Sequence, residues 1–249
     1  MSRLKGKIAI VTGASKGIGA GIAARFGAEG ASVVVNYAAA REGADRVVAE
    51  ITKAGGKAIA VQGDVSKAVD VQRLFAATKE AFGTPDVLVN NAGVFQFDPL
   101  EAVTEAEFHR EFDINVLGTI LAIQEGLKHF GSQGASVINL SSVASDNPPA
   151  NSVVYAATKG AVDTLTRVLS KELAGRKIRV NAIAPGAVET EGTHRIGVIG
   201  SDFERELVAQ TPLGRLGQPA DIAGVALFLA SDDSAWLTGE RLTAAGGWR

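Results

Sequence analysis

The chain has 249 residues, no cysteine, and a formal net charge of −2 from 25 Lys and Arg against 27 Asp and Glu. Its 46% hydrophobic and 21% charged residues exclude a disordered chain. The near-neutral balance argues against a polyanion-binding surface, and the absence of cysteine excludes disulfides, thiolate metal sites and a cysteine nucleophile.

The first apolar run, Ile8-Ala9-Ile10-Val11, is too short for a signal-peptide core or a membrane span and reads as a strand. A soluble cytoplasmic protein with no membrane or nucleic-acid partner is expected. A helix over 17–30 follows, then the strand core Val33-Val34-Val35 and a helix over 41–54. Ala58 to Val61 is the next strand, with a helix over 67–82. Val87-Leu88-Val89 leads to a long helical region over 105–130. Val137 to Leu140 leads through a loop to a helix over 152–173. Ile178 to Ile183 is a sixth strand, residues 201–210 and 219–230 are helical, and 240–243 forms a last short strand.

Continuous apolar strands are what a parallel sheet buried on both faces requires. Their alternation with helices predicts a doubly wound α/β sheet of about seven strands, helices on both faces. No linker or repeat divides residues 1–249, so one domain is expected. The irregular stretch 185–201 is long enough to be a functional loop, and a substrate loop is expected over about 187–210.

Glycine is the compositional outlier, 29 of 249, or about 12% against an average near 7%. Three glycines lie in Thr12-Gly13-Ala14-Ser15-Lys16-Gly17-Ile18-Gly19, directly between the first strand and the first helix. Such a bend lets backbone N–H groups approach a pyrophosphate at a helix N-terminus. The second strand ends at Asn36-Tyr37, and no Asp or Glu occurs between Ala31 and Arg41. An acid there holds the ribose 2′-OH of NAD, whereas Lys or Arg suits the 2′-phosphate of NADP. Lys16 and Arg41 therefore favour NADP(H), with NAD(H) use left open.

Tyr155 and Lys159 are four apart on the helix over 152–173 and share a face. Ser142 stands at the end of the preceding strand. Asn90-Asn91-Ala92-Gly93 ends the fourth strand, facing the same crevice. Asn115 sits within the helical run 105–130. His109, His129 and His194 have no metal-ligand spacing and read as surface residues; Asp232-Asp233 reads as a helix-end turn. No metal is expected.

In joint order and spacing, Thr12-Gly13-x-x-x-Gly17-x-Gly19, Asp64-Val65, Asn90-Asn91-Ala92-Gly93, Asn115, Ser142, Tyr155-x-x-x-Lys159 and Pro185-Gly186 resemble the short-chain dehydrogenase/reductase family over nearly the full chain. The resemblance implies a Rossmann fold and a catalytic tetrad of Asn115, Ser142, Tyr155 and Lys159. It also implies cofactor contacts from Gly13, Ser15, Lys16, Gly17, Ile18 and Gly19 in the loop, and from Asn36 and Tyr37 after the second strand. Asp64 and Val65 would meet the adenine, Asn91, Ala92 and Gly93 the adenosine ribose side, and Val188 and Thr190, after Pro185-Gly186, the carboxamide. Tyr155 would donate the proton to a carbonyl oxygen, Ser142 would hydrogen-bond that oxygen, and Lys159 would hold ribose hydroxyls. Lys159 and an oxidised nicotinamide would lower the Tyr155 pKa from about 10. Asn115 would hold a water linking Lys159 to solvent.

Within the family, a carbonyl (ketone) reductase or alcohol dehydrogenase acting on a small-molecule carbonyl or alcohol is the leading expectation. A 3-oxoacyl-[acyl-carrier-protein] reductase is the alternative; of its two basic docking positions, Arg176 matches one, while Gln133 stands at the other. Val33 to Tyr37 also resembles some glucose dehydrogenases. A non-catalytic NADP-binding regulator would have lost Tyr155 or Lys159, and both are present. Val94, Phe95, Val143, Ala144, Ile196 and Val198 are expected to wall the substrate pocket. A homotetramer is expected by resemblance, although Ala245-Gly246-Gly247 replaces a frequent Asp-Gly-Gly, and Trp248 before Arg249 is a candidate interface anchor.

Overall fold

The computed structural model describes residues 2–195 and 197–248. Chain order begins β1 (Ile8–Val11), α1 (Gly17–Ala28), β2 (Ser32–Tyr37), α2 (Arg41–Lys53), β3 (Lys57–Gln62), α3 (Ala68–Ala81) and β4 (Val87–Asn90). Next come α4 (Glu105–Phe112), a π-helical turn (Asp113–Leu117), α5 (Gly118–His129), β5 (Ala135–Leu140), α6 (Val153–Leu173) and β6 (Ile178–Pro185). The chain ends with α7 (Glu191–Arg195), α8 (Asp202–Gln210), α9 (Pro219–Ala230) and β7 (Arg241–Ala244).

Among the described residues, the strands form one sheet in the order β3-β2-β1-β4-β5-β6-β7, and every pairing is parallel. Side chains alternate across it with the two-residue period of a strand. Ala9, Val11, Val33, Val35, Val87, Val89, Ile138 and Ile183 pack with Phe26 of α1 and Ile222 of α9. Ile10, Val34, Leu88, Val137 and Val180 face the other way, against Phe75 of α3 and Ile123 of α5. Both faces are thus covered, which is why the strands read as unbroken apolar runs. Phe75 has no solvent exposure, so Phe75→Ala would cost about 3–5 kcal/mol.

Two elements differ from expectation. The long helix over 105–130 is broken by the π turn, and the irregular stretch 185–201 holds the short helix α7. The first difference positions the site. A π turn disturbs the regular backbone ladder, and Asn115 lies within it, 1% exposed rather than solvated. The strand order reverses between β1 and β4, so their carboxyl ends open a crevice where ligands of such sheets bind. No helix among the described residues is long and apolar enough to cross a membrane.

Candidate active site

The crevice begins at the glycine loop. Thr12 Oγ1 donates to Val89 O at 3.2 Å and accepts from the N–H groups of Asn91 and Ala92, each at 3.0 Å. This ties the end of β1 to the end of β4. Asn91 Nδ2 donates to Thr12 O at 2.8 Å and Gly13 O at 3.1 Å. Gly13 has φ +61°, and a Cβ there would lie 2.8 Å from Ala92 Cα. Gly19, at the start of α1, would bring a Cβ 2.4 Å from Asn91 Nδ2. Glycine is required at both positions by close approach, at Gly13 also by the left-handed backbone.

The N–H of Gly17, the first residue of α1, donates to Glu191 Oε2 of α7 at 2.9 Å. A carboxylate oxygen thus stands at the helix N-terminus, and its contacting atom is a stand-in for a phosphate oxygen. With the cradle left by Gly13 and Gly19, the residues fit a dinucleotide pyrophosphate. Lys16 beside them is exposed, and its side chain has neither hydrogen bond nor ion pair among the described residues. Ser15 is partly buried and Ile18 packs against the core.

Asn36 is 1% exposed and its amide is committed to the protein. Oδ1 accepts from Gly13 N–H at 3.2 Å, and Nδ2 donates to Val61 O at 3.3 Å and Gly63 O at 3.0 Å. The Asn36 side chain thus shapes the glycine loop. Tyr37 is 6% exposed. Arg41 is exposed and pairs with Asp45 at 3.5 Å. Asp64 caps the turn after β3 by accepting from the Ser66 N–H and hydroxyl, and Val65 is buried beneath it.

Ser142, Tyr155 and Lys159 converge at the carboxyl end of β5. Ser142 Oγ accepts from Ala144 N–H at 3.1 Å, and its hydroxyl lies on the Tyr155 side, where it opposes a rise in the Tyr155 pKa. Lys159, one turn beyond Tyr155 on α6, is 6% exposed. Its Nζ donates to Leu140 O at 2.8 Å and lies 5.6 Å from the Tyr155 ring centroid. Burial lowers the Lys159 pKa to about 8, opposed by the charges of Asp163 and Glu111. Burial raises the Tyr155 pKa, opposed by the Ser142 side chain and reinforced by Glu111. The lowering expected for Tyr155 is therefore absent in the cofactor-free chain, because loss of water around a phenolate outweighs its neighbours.

Asn115 is equally committed. Its Oδ1 accepts from Val94 N–H at 2.8 Å, and Nδ2 donates to Val94 O at 2.8 Å and Thr158 Oγ1 at 3.0 Å. The side chain has spent its main bonding directions on the protein. Its main-chain carbonyl accepts from Thr119 Oγ1 at 2.8 Å. Gly93 separates Asn115 from Lys159: a Cβ there would lie 3.3 Å from Asn115 Oδ1 and 3.6 Å from Lys159 Nζ.

Phe95 and Phe97 flank Tyr155 edge-on, with ring centroids 5.9 Å and 6.0 Å from it. Val143 and Ala144 are each 5% exposed, and Val94 and Val198 are partly buried; Ile196 lies outside the described residues. On the far side, the chain leaves β6 through Gly186, whose N–H donates to Ala244 O at 3.2 Å. Val188 is buried, and Thr190 N–H donates to Thr193 Oγ1 at 2.9 Å.

Sequence reasoning missed Phe97, Thr158, Glu111, Glu191 and Arg241. Glu111 carried a usable signal, since it stands one helical turn before Asn115 on the same face. His129 is not a surface residue: it stacks near Phe75 and pairs with Glu125 at 3.1 Å. Asp232–Ser234 forms the expected turn after α9. No metal-binding group of His, Cys, Asp and Glu occurs among the described residues. Trp248 is partly buried and lines a cavity of about 500 Å³ with Pro212 and Leu213, whereas Trp236 is 99% exposed. Arg249 lies outside the described residues.

A family model described as enoyl-(acyl carrier protein) reductase matches residues 13–249. An oxidoreductase of Methylorubrum extorquens, itself named uncharacterised, is 59% identical over 249 residues, spanning 100% of both chains. Versicolorin reductase of Emericella nidulans is 40% identical over 254 residues, covering 98% of this chain and 96% of its own. The crystal structure of a short-chain dehydrogenase from Burkholderia cenocepacia in complex with NADP superposes with a TM-score of 0.92 at 33% identity, covering 98% of each chain. The chain belongs to the short-chain dehydrogenase/reductase family of NAD(P)-dependent oxidoreductases.

Proposed function

We propose that the protein is an NADP(H)-dependent carbonyl reductase, interconverting a ketone and a secondary alcohol, with Tyr155 as the proton donor. The convergence of Ser142, Tyr155 and Lys159 at one strand end carries this reading. NADPH, when bound, supplies the hydride. Negative charge then develops on the carbonyl oxygen, and donors placed there favour the transition state over the ground state. Tyr155, neutral at physiological pH because burial raises its pKa, passes its hydroxyl proton to that oxygen. Ser142 Oγ donates a hydrogen bond to the same oxygen. Lys159 places a cation beside the Tyr155 ring to favour the phenolate left behind, and holds the cofactor ribose. The Asn115 carbonyl holds the water that returns a proton through Lys159.

The glycine loop would take the pyrophosphate, Asp64 and Val65 the adenine, and Val188 and Thr190 the carboxamide. Lys16 supports NADP over NAD, because it is a free cation beside the loop and no acid ends β2. The 40%-identical relative carries the name of a reductase and the solved neighbour was crystallised with NADP, which agree with the reading. Phe95 and Phe97 beside Tyr155 favour an apolar or aromatic ketone. Residues 187–195 and 197–210, which carry α7 and α8, would cover it. Exposed Leu117 of the π turn, Ile120 of α5 and Val153 and Val168 of α6 support a homotetramer built through these elements.

Loss of reduced-nicotinamide absorbance with aryl ketones, keto esters and an acetoacetyl thioester tests the reading. NADPH-dependent turnover of simple ketones supports it, and turnover confined to the thioester replaces it with carrier-protein chemistry. Tyr155→Phe should lower kcat about 10²–10⁴-fold while NADPH still binds; near-normal turnover would remove Tyr155 as the donor.

A further inference from the structure

Glu111, in the last turn of α4, has no solvent exposure. Its Oε1 accepts from Gln96 N–H at 2.6 Å, and its Oε2 is buried without a hydrogen-bond partner. A carboxyl in that position is costly unless it serves the fold or the site. One turn on, Asn115 grips both backbone groups of Val94. The same helical face therefore takes hold of residues 94 and 96. The intervening and following residues, Phe95 and Phe97, turn their rings to Tyr155. This is the alternation of an extended segment held along one edge. The far end is fixed separately: Gln96 Nε2 donates to Asp98 Oδ2 at 3.0 Å, and Asp98 N–H to Asn151 O at 2.8 Å.

We propose that Glu111 is a positioning residue: through the Gln96 N–H it fixes the Phe95–Phe97 wall against Tyr155 and so sets how an aromatic ketone meets the proton donor. This rests on the reading of Tyr155 as donor and of the two phenylalanines as substrate wall. The charge of Glu111 is a second handle. Burial pushes its pKa up to about 7, with Glu107 adding to the rise and Arg110 and the Gln96 N–H opposing it. Besides Glu107 and Arg110 on its own helix, Lys159 and Tyr155 on α6 lie within its electrostatic reach, and Asp98 is the charged residue of the held segment. A protonated carboxyl keeps one oxygen free to accept, so the clamp survives protonation while the field at Tyr155 changes.

Glu111→Leu removes acceptor and charge, and Glu111→Gln removes charge alone. Amide hydrogen exchange at Gln96 is read first, in the wild-type protein and both variants. Aryl-ketone kinetics and NADPH binding are then measured beside Tyr155→Phe. The Gln96 amide should be protected in wild type and Glu111→Gln and lose protection in Glu111→Leu. KM for an aryl ketone should rise about tenfold in Glu111→Leu, as loss of one charge-assisted hydrogen bond implies. Glu111→Gln should hold KM within about twofold, and NADPH affinity should be unchanged in both. The pH dependence of aryl-ketone kcat near 7 should vanish in Glu111→Gln. An unprotected Gln96 amide in the wild-type protein overturns the proposal without any variant. So does Glu111→Leu with unchanged KM, or Glu111→Gln as impaired as Glu111→Leu. Full turnover by Tyr155→Phe removes the reading of the site beneath it, a result distinct from any of these.

Discussion

The guanidinium of Arg241, on β7, donates from Nη2 to the main-chain carbonyl of Ser142 at 2.9 Å. The same group donates to Ser145 Oγ at 2.9 Å, pairs with Asp146 at 2.8 Å, and sets its Nε 3.0 Å from Asp163 Oδ2. One side chain from the last strand thus holds the turn carrying Ser142 and the α6 acid one turn beyond Lys159. Arg241→Leu would leave Asp163, 4% exposed, buried without its cation. Chemical denaturation should show a loss of about 3–5 kcal/mol, and kcat should fall with NADPH affinity retained. A stable variant with normal kcat would show that Ser142 is held by its own turn.

The proton inventory predicts the pH profile of ketone reduction. Lys159 is cationic below its pKa of about 8 and loses its charge above it. Tyr155 stays protonated through that range because burial raises its pKa. Beyond the inflection near 7 that belongs to Glu111, the rate should fall along a limb near 8. Asp163 holds the Lys159 pKa up, so Asp163→Asn should move that limb to lower pH. A limb that stays in place in kcat/KM measurements would assign it to another group.

Glu191 puts a carboxylate where an anionic cofactor must bind, on the Gly17 N–H. Like charges repel there, but Glu191 is exposed and the effect is screened. Glu191→Gln should tighten NADPH by about two- to fivefold, the size of a screened charge at a helix N-terminus. Fluorescence titration at low and high salt reads this, and the gain should shrink with salt. Weaker binding by the variant would make the contact a support for the cofactor.

The Lys16 side chain has no ion pair among the described residues, whereas Arg41 is engaged with Asp45. Lys16→Ala should therefore weaken NADPH about tenfold with little change for NADH, and Arg41→Ala should do less. Equal losses for both cofactors would place Lys16 on the pyrophosphate instead of the 2′-phosphate.

The strands, most helices and the glycine loop were legible because each rests on neighbours in the chain. Period-two and period-3.6 patterns, glycine at a strand–helix junction and Tyr155 four before Lys159 are all local statements. Asn36 shows where that stops. Its position after β2 suggested a ribose contact, but its bonds to Gly13, Val61 and Gly63 form only when β1, β2 and β3 lie side by side. Asn115 was placed on the site face by its motif, yet its buried grip on Val94 depends on the π turn.

The sequence by itself determined the doubly wound sheet, and its local patterns marked Ser142, Tyr155 and Lys159 as candidates at one end of it. Tertiary structure alone decided which polar groups are spent on the protein and which stay free to act. Only packing could put Glu111 under Gln96, Arg241 under Ser142 and Glu191 on Gly17, joining residues 15, 99 and 174 positions apart. Burial then turned their neighbours' proton affinities, lowering that of Lys159 and raising those of Tyr155 and Glu111. The physical reason is that desolvation and long-range hydrogen bonds depend on what surrounds a group in space, and no local pattern encodes that.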